Sequence, residues 1–389
     1  MESAPATPSR SLLGVLLALA LAIGLVACVA GAGLFLWARQ DGLNPIRAIQ
    51  LRIALAQRED DLNTPAGASD DYQRFVVNGG DSAYTIAHNL LAQRLITDAE
   101  LFVDYVQYHR LDSQLEAGTF YLRDRQTIPE IARALTDASA ATVPFRTLAG
   151  WRVEEIAAVI DSNPLLDFSG ADFLAVVGRG ATIPAEFKSR NGFPDEMTNG
   201  QPPSLEGFLY PGTYQLRPGI TPVELRDEML AAFSAAVSDD FYLKASQQGL
   251  SMYEVVTLAS IVQREAVVAE EAPRIAAVYL NRMRLPMRLD ADPTVQYALG
   301  NTRDAATWWP SLTQADYYAT GGLPNQSYST YLNEGLPPGP INSPSLGSIR
   351  AVLEAPQTDE FYFRLGCDDR THVFFRLDQQ NDHAIFTCP

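Results

Sequence analysis

Apolar residues at helical spacing dominate the second half of the chain. Over residues 255–269, Val255, Leu258, Ile261, Val262 and Ala269 fall on one arc at about 100° per residue, which predicts an amphipathic helix. Ser251-Met252-Tyr253-Glu254 is a capping box that starts this helix at Ser251. In that register Glu265 lies near the middle of the apolar arc, while Gln263 and Arg264 turn away. A second stripe, Ile275, Val278, Tyr279 and Met283, predicts a helix beginning near Pro273. Glu270 and Glu271 precede it, and Asn281 and Arg282 lie near its end. Asp292 as cap, Pro293 as first residue and Gly300 as stop predict a third helix.

Toward the N-terminus the pattern changes. Phe75-Val76-Val77 reads as a strand and Asn78-Gly79-Gly80 as a turn. Asp81 caps a helix carrying Ile86, Leu90 and Leu91. A second helix from about Ala99 carries Leu101, Phe102, Tyr105 and Val106, and residues 118–122 form a returning strand. This βααβ order resembles a LysM module, a small fold that grips N-acetylglucosamine polymers; an ordinary α+β subdomain has the same order. Residues 127–135, 152–160 and 222–237 read as helices, 145–148 as strand-like, and 179–205, rich in Gly, Pro and Asn, as a long loop.

Residues 11–38 carry no charge and exceed the roughly 20 residues that span a bilayer, so a single-pass transmembrane helix is expected. A cleaved signal peptide is a second reading. Leu25-Val26-Ala27-Cys28 also resembles a lipoprotein box, with Cys28 as the lipid site. All three readings export the bulk of the chain. The expected plan is a cytoplasmic head (1–10), the span (11–38), a stalk (39–70), a LysM-like subdomain (71–140), a connecting α+β region (141–248) and a catalytic region with a helical core (249–389). The fold class is α+β.

A net charge of −17 argues against a nucleic-acid partner. No HExxH, GxSxG, Walker loop or helix-opening GxGxxG occurs, so zinc-hydrolase, serine-hydrolase and nucleotide-driven chemistry lack support, and no cofactor is expected. Cys367 and Cys388 read as a disulfide of an exported domain. Their symmetric spacing with His372 and His383 leaves a zinc site as the alternative.

The candidate chemistry centres on Glu265. A carboxyl held against apolar surface resists ionisation and keeps a proton near neutral pH, as a general acid for sugar cleavage requires. The alternative is an acid at the edge of a core, paired with Arg264 or Arg282. Trp308, Trp309, Tyr317, Tyr328 and Tyr331 are candidates for stacking on sugar faces or for the core. The proline-rich segment 335–341 is stiff enough for a cleft wall.

Residues 259–265, Asn281-Arg282, Met287-Arg288-Leu289, 292–297, Tyr328-Ser329-Thr330-Tyr331, 335–339 and 206–214 together resemble the YceG-like membrane-anchored endolytic murein transglycosylases. The resemblance runs from about residue 70 to the end. It implies Glu265 as the catalytic residue and Glu206, Asn281, Gln296, Tyr328, Thr330 and Tyr331 as substrate-binding residues. It further implies cleavage of nascent peptidoglycan strands on the outer side of the bacterial cell membrane, beside peptidoglycan synthases (penicillin-binding proteins). Family members usually carry glutamate where Gln263 stands. Their closing glutamate-histidine-asparagine appears here as Gln380-Asn381-Asp382, His372 and Phe374 are kept, and the two late cysteines look like an addition. A hydrolytic muramidase using Asp290 or Glu206 as a second acid, and a non-catalytic wall-binding scaffold, are the rival readings.

Overall fold

The computed structural model describes Leu25 and residues 45–138, 142–302, 307–319 and 324–388. The expected head, the span apart from Leu25, and Cys28 lie outside the described residues. Among the described residues no helix is long and apolar enough to cross a membrane. The chain divides into two compact units, one up to residue 141 and one from residue 142.

The first unit runs α1 (Pro45–Gln57), α2 (Glu59–Asn63), β1 (Gln73–Val77), α3 (Ala83–Ala92), α4 (Ala99–His109), β2 (Gly118–Leu122) and α5 (Ile128–Ala134). β1 and β2 pair antiparallel with Phe75 opposite Phe120, and both rings are buried with Ile86, Leu90, Phe102, Val106 and Ile131. The βααβ order is the one the hydrophobic pattern predicts. The cap of α3 is Ser82, which accepts from the Thr85 N–H at 3.2 Å. Asp81 sits one residue too early; its carboxylate accepts from the Asn78 N–H at 2.9 Å and closes the turn instead. Leu91 is exposed, and Ala87 fills the buried stripe in its place. Part of the expected stalk is folded here: Leu51 and Leu55 of α1 and Leu62 of α2 are buried, and Arg58 reaches Asp98 at 2.8 Å.

In the second unit β3 (Val143–Arg146) pairs antiparallel with β4 (Thr213–Leu216). Between them lie α6 (Val153–Asp161), α7 (Gly170–Val177) and α8 (Ala185–Asn191). α8 falls inside the stretch expected to be loop. Its one strong apolar residue, Phe187, is too little for a periodic signal, yet it packs against Phe193, Phe208 and Phe233. α9 (Pro222–Ala236) and α10 (Asp239–Gln247) follow, then α11 (Met252–Glu265), α12 (Ala272–Arg284), α13 (Asp292–Leu299) and α14 (Leu346–Leu353). The chain closes with the antiparallel hairpin β5 (Glu360–Leu365) and β6 (His372–Arg376) and with α15 (Gln380–Ile385). Among the described residues, three separate two-stranded sheets and many helices make a mixed α/β fold.

The core of this unit is built on α11. The predicted Ser251 capping box is present, with the Ser251 hydroxyl accepting from Glu254 N–H and the Glu254 carboxylate accepting from Ser251 N–H. Apart from Glu254, every residue from Met252 to Val262 is buried, so the helix is enclosed on nearly all sides rather than along one stripe. Its polar members are satisfied locally: the Thr257 hydroxyl donates to the Tyr253 carbonyl at 2.7 Å, and that of Ser260 to the Thr257 carbonyl at 2.7 Å. α12 and α14 pack on α11, and β5 packs on α12. Gly207 has a positive φ of 86°, and a Cβ there would collide with Pro340, so only glycine lets the two segments meet.

Cys367 and Cys388 form a disulfide with Cα atoms 5.3 Å apart. It ties the β5–β6 turn to the tail beyond α15. Both sulfurs are thereby committed to each other rather than to the alternative zinc site.

Candidate active site

Glu265 is the last residue of α11, and Ala266 leaves the helix in an extended conformation. The predicted helix is thus shorter than its apolar pattern, and Ala269 belongs to a separate 3-10 turn. Ending there has two consequences. The carboxyl emerges from the core into the floor of a cleft of about 680 Å³. It also sits at the negative end of the helix, where unpaired carbonyls disfavour an anion.

Burial among protein atoms pushes the Glu265 carboxyl up from 4.5 to about 7. The Tyr279 hydrogen bond opposes that rise, the Asp292 charge adds to it, and the Arg282 charge opposes it. The carboxyl remains partly open to the cleft, as a group that trades protons with a ligand must be. Its hydrogen-bond partner is the Tyr279 hydroxyl, which donates to Oε1 at 2.9 Å. The expected arginine partners are engaged elsewhere. The Arg264 guanidinium lies 4.1 Å from the ring centre of Trp309. Arg282 donates to the Phe361 carbonyl at 2.6 Å and to the Leu289 carbonyl at 2.7 Å, which joins α12 to β5 and to the lead of α13.

Asp292 faces the same cleft. The helix cap is Ala291, so Asp292 stands in the first turn of α13 rather than capping it. Its Oδ1 accepts from the Tyr331 hydroxyl at 2.9 Å and its Oδ2 from the Tyr317 hydroxyl at 3.1 Å. The two rings meet with centroids 4.7 Å apart. Asp290, on the cleft wall, has φ of 48°, and burial raises its carboxyl while Arg282 and Arg288 lower it. The far wall comes from the hairpin and the tail helix. His372 is anchored by Glu271, whose carboxylate meets Nδ1 at 2.8 Å and accepts from the His372 N–H at 2.9 Å. His383 on α15 lines the cleft with Arg364.

Of the residues implied for substrate binding, the structure brings Tyr331 into the cleft with Glu265. The others do not line that cleft and make contacts within the fold. Asn281 donates to the carbonyls of Thr358 and Glu360 at 3.0 and 2.9 Å. Thr330 accepts from the Ala291 N–H at 2.9 Å, pinning the turn that carries Tyr331 to the start of α13. Gln296 donates to the Pro310 carbonyl at 3.0 Å. Tyr328 is buried against Tyr297, with ring centroids 4.6 Å apart. Glu206 is buried, accepts from the Val153 N–H at 3.2 Å, and burial raises its carboxyl far above the usual range. It does not line the Glu265 cleft, so it cannot activate water there. The proline segment contributes Leu336, Pro337 and Pro338 to a different cavity of about 520 Å³, beside Tyr253 and Met283. Trp309 donates its ring N–H to Glu155 at 3.0 Å.

Sequence reasoning missed the roles of Tyr279 and Asp292. Tyr279 reads as one more member of a buried stripe, and its hydroxyl end is invisible to periodicity. Asp292 beside Pro293 reads as a cap, and a shift of one residue in the helix start turns its carboxylate toward the cleft. Among the described residues no group of His, Cys, Asp and Glu side chains is placed to hold a metal ion.

Residues 75–385 match the YceG-like family. The chain is 27% identical over 317 residues to an endolytic murein transglycosylase of Bacillus subtilis, covering 80% of each chain. It is 33% identical over 179 residues to an endolytic murein transglycosylase of Streptococcus pneumoniae, a match spanning 46% of this chain and 31% of that relative. The crystal structure of a YceG-like protein from Listeria monocytogenes superimposes with a TM-score of 0.52 at 26% identity, over 81% of this chain and 99% of that one. Matched along most of its length by sequence and by fold, the chain belongs to the YceG-like family.

Proposed function

We propose that this chain is an endolytic lytic transglycosylase that cuts the bond between N-acetylmuramic acid and N-acetylglucosamine within nascent peptidoglycan strands. The observation that carries this reading is the Glu265 carboxyl, held at the cleft floor with its pKa at about 7 and a single hydroxyl donor on Oε1. The names of the Bacillus and Streptococcus relatives support it. Glu265 gives its proton to the glycosidic oxygen as the bond to C1 breaks, and the N-acetylglucosamine end leaves with that proton. The C6 hydroxyl of the same muramic acid then attacks C1 and returns its proton to the Glu265 carboxylate. The product is a 1,6-anhydro sugar, and no water is consumed. Attack from within one sugar supplies the proximity that water lacks, so one carboxyl suffices for both transfers.

The rest of the plan belongs to the same reading. Residues 11–38 anchor the chain in the cell membrane with residues 1–10 inside. The βααβ unit acts as a LysM-like grip on the strand, and the cleft works on the outer face beside peptidoglycan synthases. The uncharged run of residues 11–38 and the element order of the first unit support these placements.

A hydrolytic muramidase is the second reading, because Asp290 and Asp292 share the cleft with Glu265. Mass spectrometry of uncross-linked strands digested by the full-length chain separates the two. Anhydro ends from wild type, with a Glu265→Gln loss of roughly 10²–10⁴-fold, are expected. Reducing ends would mean hydrolysis. Binding without cleavage by folded protein would leave a wall-binding scaffold.

A further inference from the structure

The cleft contains a carboxylate that the proton transfers above do not use. Asp292 accepts both phenol protons of the Tyr317–Tyr331 pair, one on each oxygen, at 3.1 and 2.9 Å. The rings come from distant segments, Tyr317 from the short 3-10 turn Asp316–Tyr318 and Tyr331 from the turn beyond Tyr328. Neither segment belongs to a long helix or a sheet, so the hydrogen bonds to Asp292 do much to set the ring orientations. The anchor on the Tyr331 side is rigid: Thr330 accepts from Ala291 N–H and its own N–H donates to the Thr294 hydroxyl at 3.1 Å, both at the start of α13. Asp292 therefore projects from a fixed helix end onto two rings whose backbones would otherwise let them turn.

We propose that Asp292 is a positioning residue, which clamps the Tyr317 and Tyr331 rings into a single wall where a sugar ring lies beside the Glu265 carboxyl. The inference rests on the transglycosylase reading for the identity of the sugar. The physical argument is that a phenol whose proton is committed to a carboxylate is held against turning, and two rings 4.7 Å apart and inclined at 54° make a preformed apolar corner for the C–H side of a sugar. Burial and then the Asp292 charge push the Tyr317 phenol up to about 12, so it stays a donor across the working range of pH. The Asp292 charge also helps Glu265 keep its proton, which couples the wall to the acid.

The test uses the full-length chain and purified uncross-linked peptidoglycan strands, with binding measured in the inactive Glu265→Gln background and cleavage in the active one. Asp292→Asn removes the charge and leaves one acceptor oxygen. It is expected to weaken strand binding about tenfold and to move the upper limb of the pH–rate profile to lower pH. Tyr317→Phe with Tyr331→Phe keeps both rings and the charge but frees them from the clamp. It is expected to reproduce the binding loss without displacing the limb downward. The other titrating or charged groups of the cleft, Tyr279, Arg282, Asp290, Tyr362, Arg364, His372 and His383, are unaltered in all variants. Unchanged binding in both the Asp292 and the double tyrosine variants would overturn the clamp while leaving the transglycosylase reading intact. Wild-type protein that releases no anhydro ends but whose strand binding still falls in both variants would overturn the reading and keep the clamp.

Discussion

The Tyr279 hydroxyl donates to Glu265 Oε1 across the junction of α11 and α12 at 2.9 Å. Both residues arise from helices whose other side chains are mostly buried, so the pair is the point where two core elements open into the cleft. The bond stabilises the carboxylate form and opposes the upward push of burial. Tyr279→Phe therefore raises the Glu265 pKa further. The upper limb of the pH–rate profile moves to higher pH, while the plateau falls about tenfold because the carboxyl loses its orientation. A pH–rate profile of the variant beside wild type checks both signs.

Keeping Glu265 protonated has a stability signature. Its folded pKa of about 7 lies above the 4.5 of an ordinary glutamate, so the folded state binds the extra proton between those values. The unfolded state binds fewer, and stability falls as pH rises from about 4.5 through 7. The full difference is at most about 3 kcal/mol, since the carboxyl is open to cleft water. Glu265→Gln removes this dependence. Denaturant melts at pH 5 and pH 8 are expected to show the variant gaining stability over wild type at the higher pH, with little difference at the lower.

Asn281 and Thr330 illustrate what a sequence motif conceals. The family resemblance marks both, and the structure gives both to the frame: Asn281 to the start of β5, Thr330 to the start of α13. Asn281→Ala leaves the Thr358 and Glu360 carbonyls without their donor, which costs about 1–3 kcal/mol. A fall in melting temperature, with KM for strands unchanged in the protein that remains folded, is the expected result.

The disulfide carries a separate expectation. Cys367 and Cys388 lie 21 residues apart, and the tail they hold supplies Gln380, His383 and Ala384 to the cleft. Closing such a loop contributes about 3 kcal/mol to the order of that segment. Cys367→Ser with Cys388→Ser is expected to leave the first unit unaffected and to free the tail. Hydrogen exchange over residues 377–388 would rise several-fold, and cleavage would drop with it.

How much was legible follows from which forces act locally. The Ser251 capping box, the Gly300 stop and the βααβ order are written in neighbouring residues, and each is found. The burial of the Glu265 carboxyl was legible because an acid set among apolar positions conflicts with its surroundings. The helix α8 and the Asp292 clamp were not. The first depends on Phe187 meeting rings from three other segments, and the second joins residues 25 and 39 positions apart. Contacts of that kind leave no period in the sequence.

Gln263 makes the last case. Family members usually carry glutamate there, two residues before Glu265. Two residues are about 200° around a helix, so the side chains at 263 and 265 point to opposite sides. Gln263 Oε1 accepts from the Ser345 N–H at 2.9 Å and from the Ser348 hydroxyl at 2.9 Å, at the start of α14. A glutamate offers the same acceptor oxygens to the same donors. Gln263→Glu is therefore expected to fold and to cleave strands within about threefold of wild type. The same substitution is expected to give no rescue in a Glu265→Gln background, because the new acid faces Ser345 and not the cleft. Restored cleavage in that double variant would move the catalytic acid to position 263.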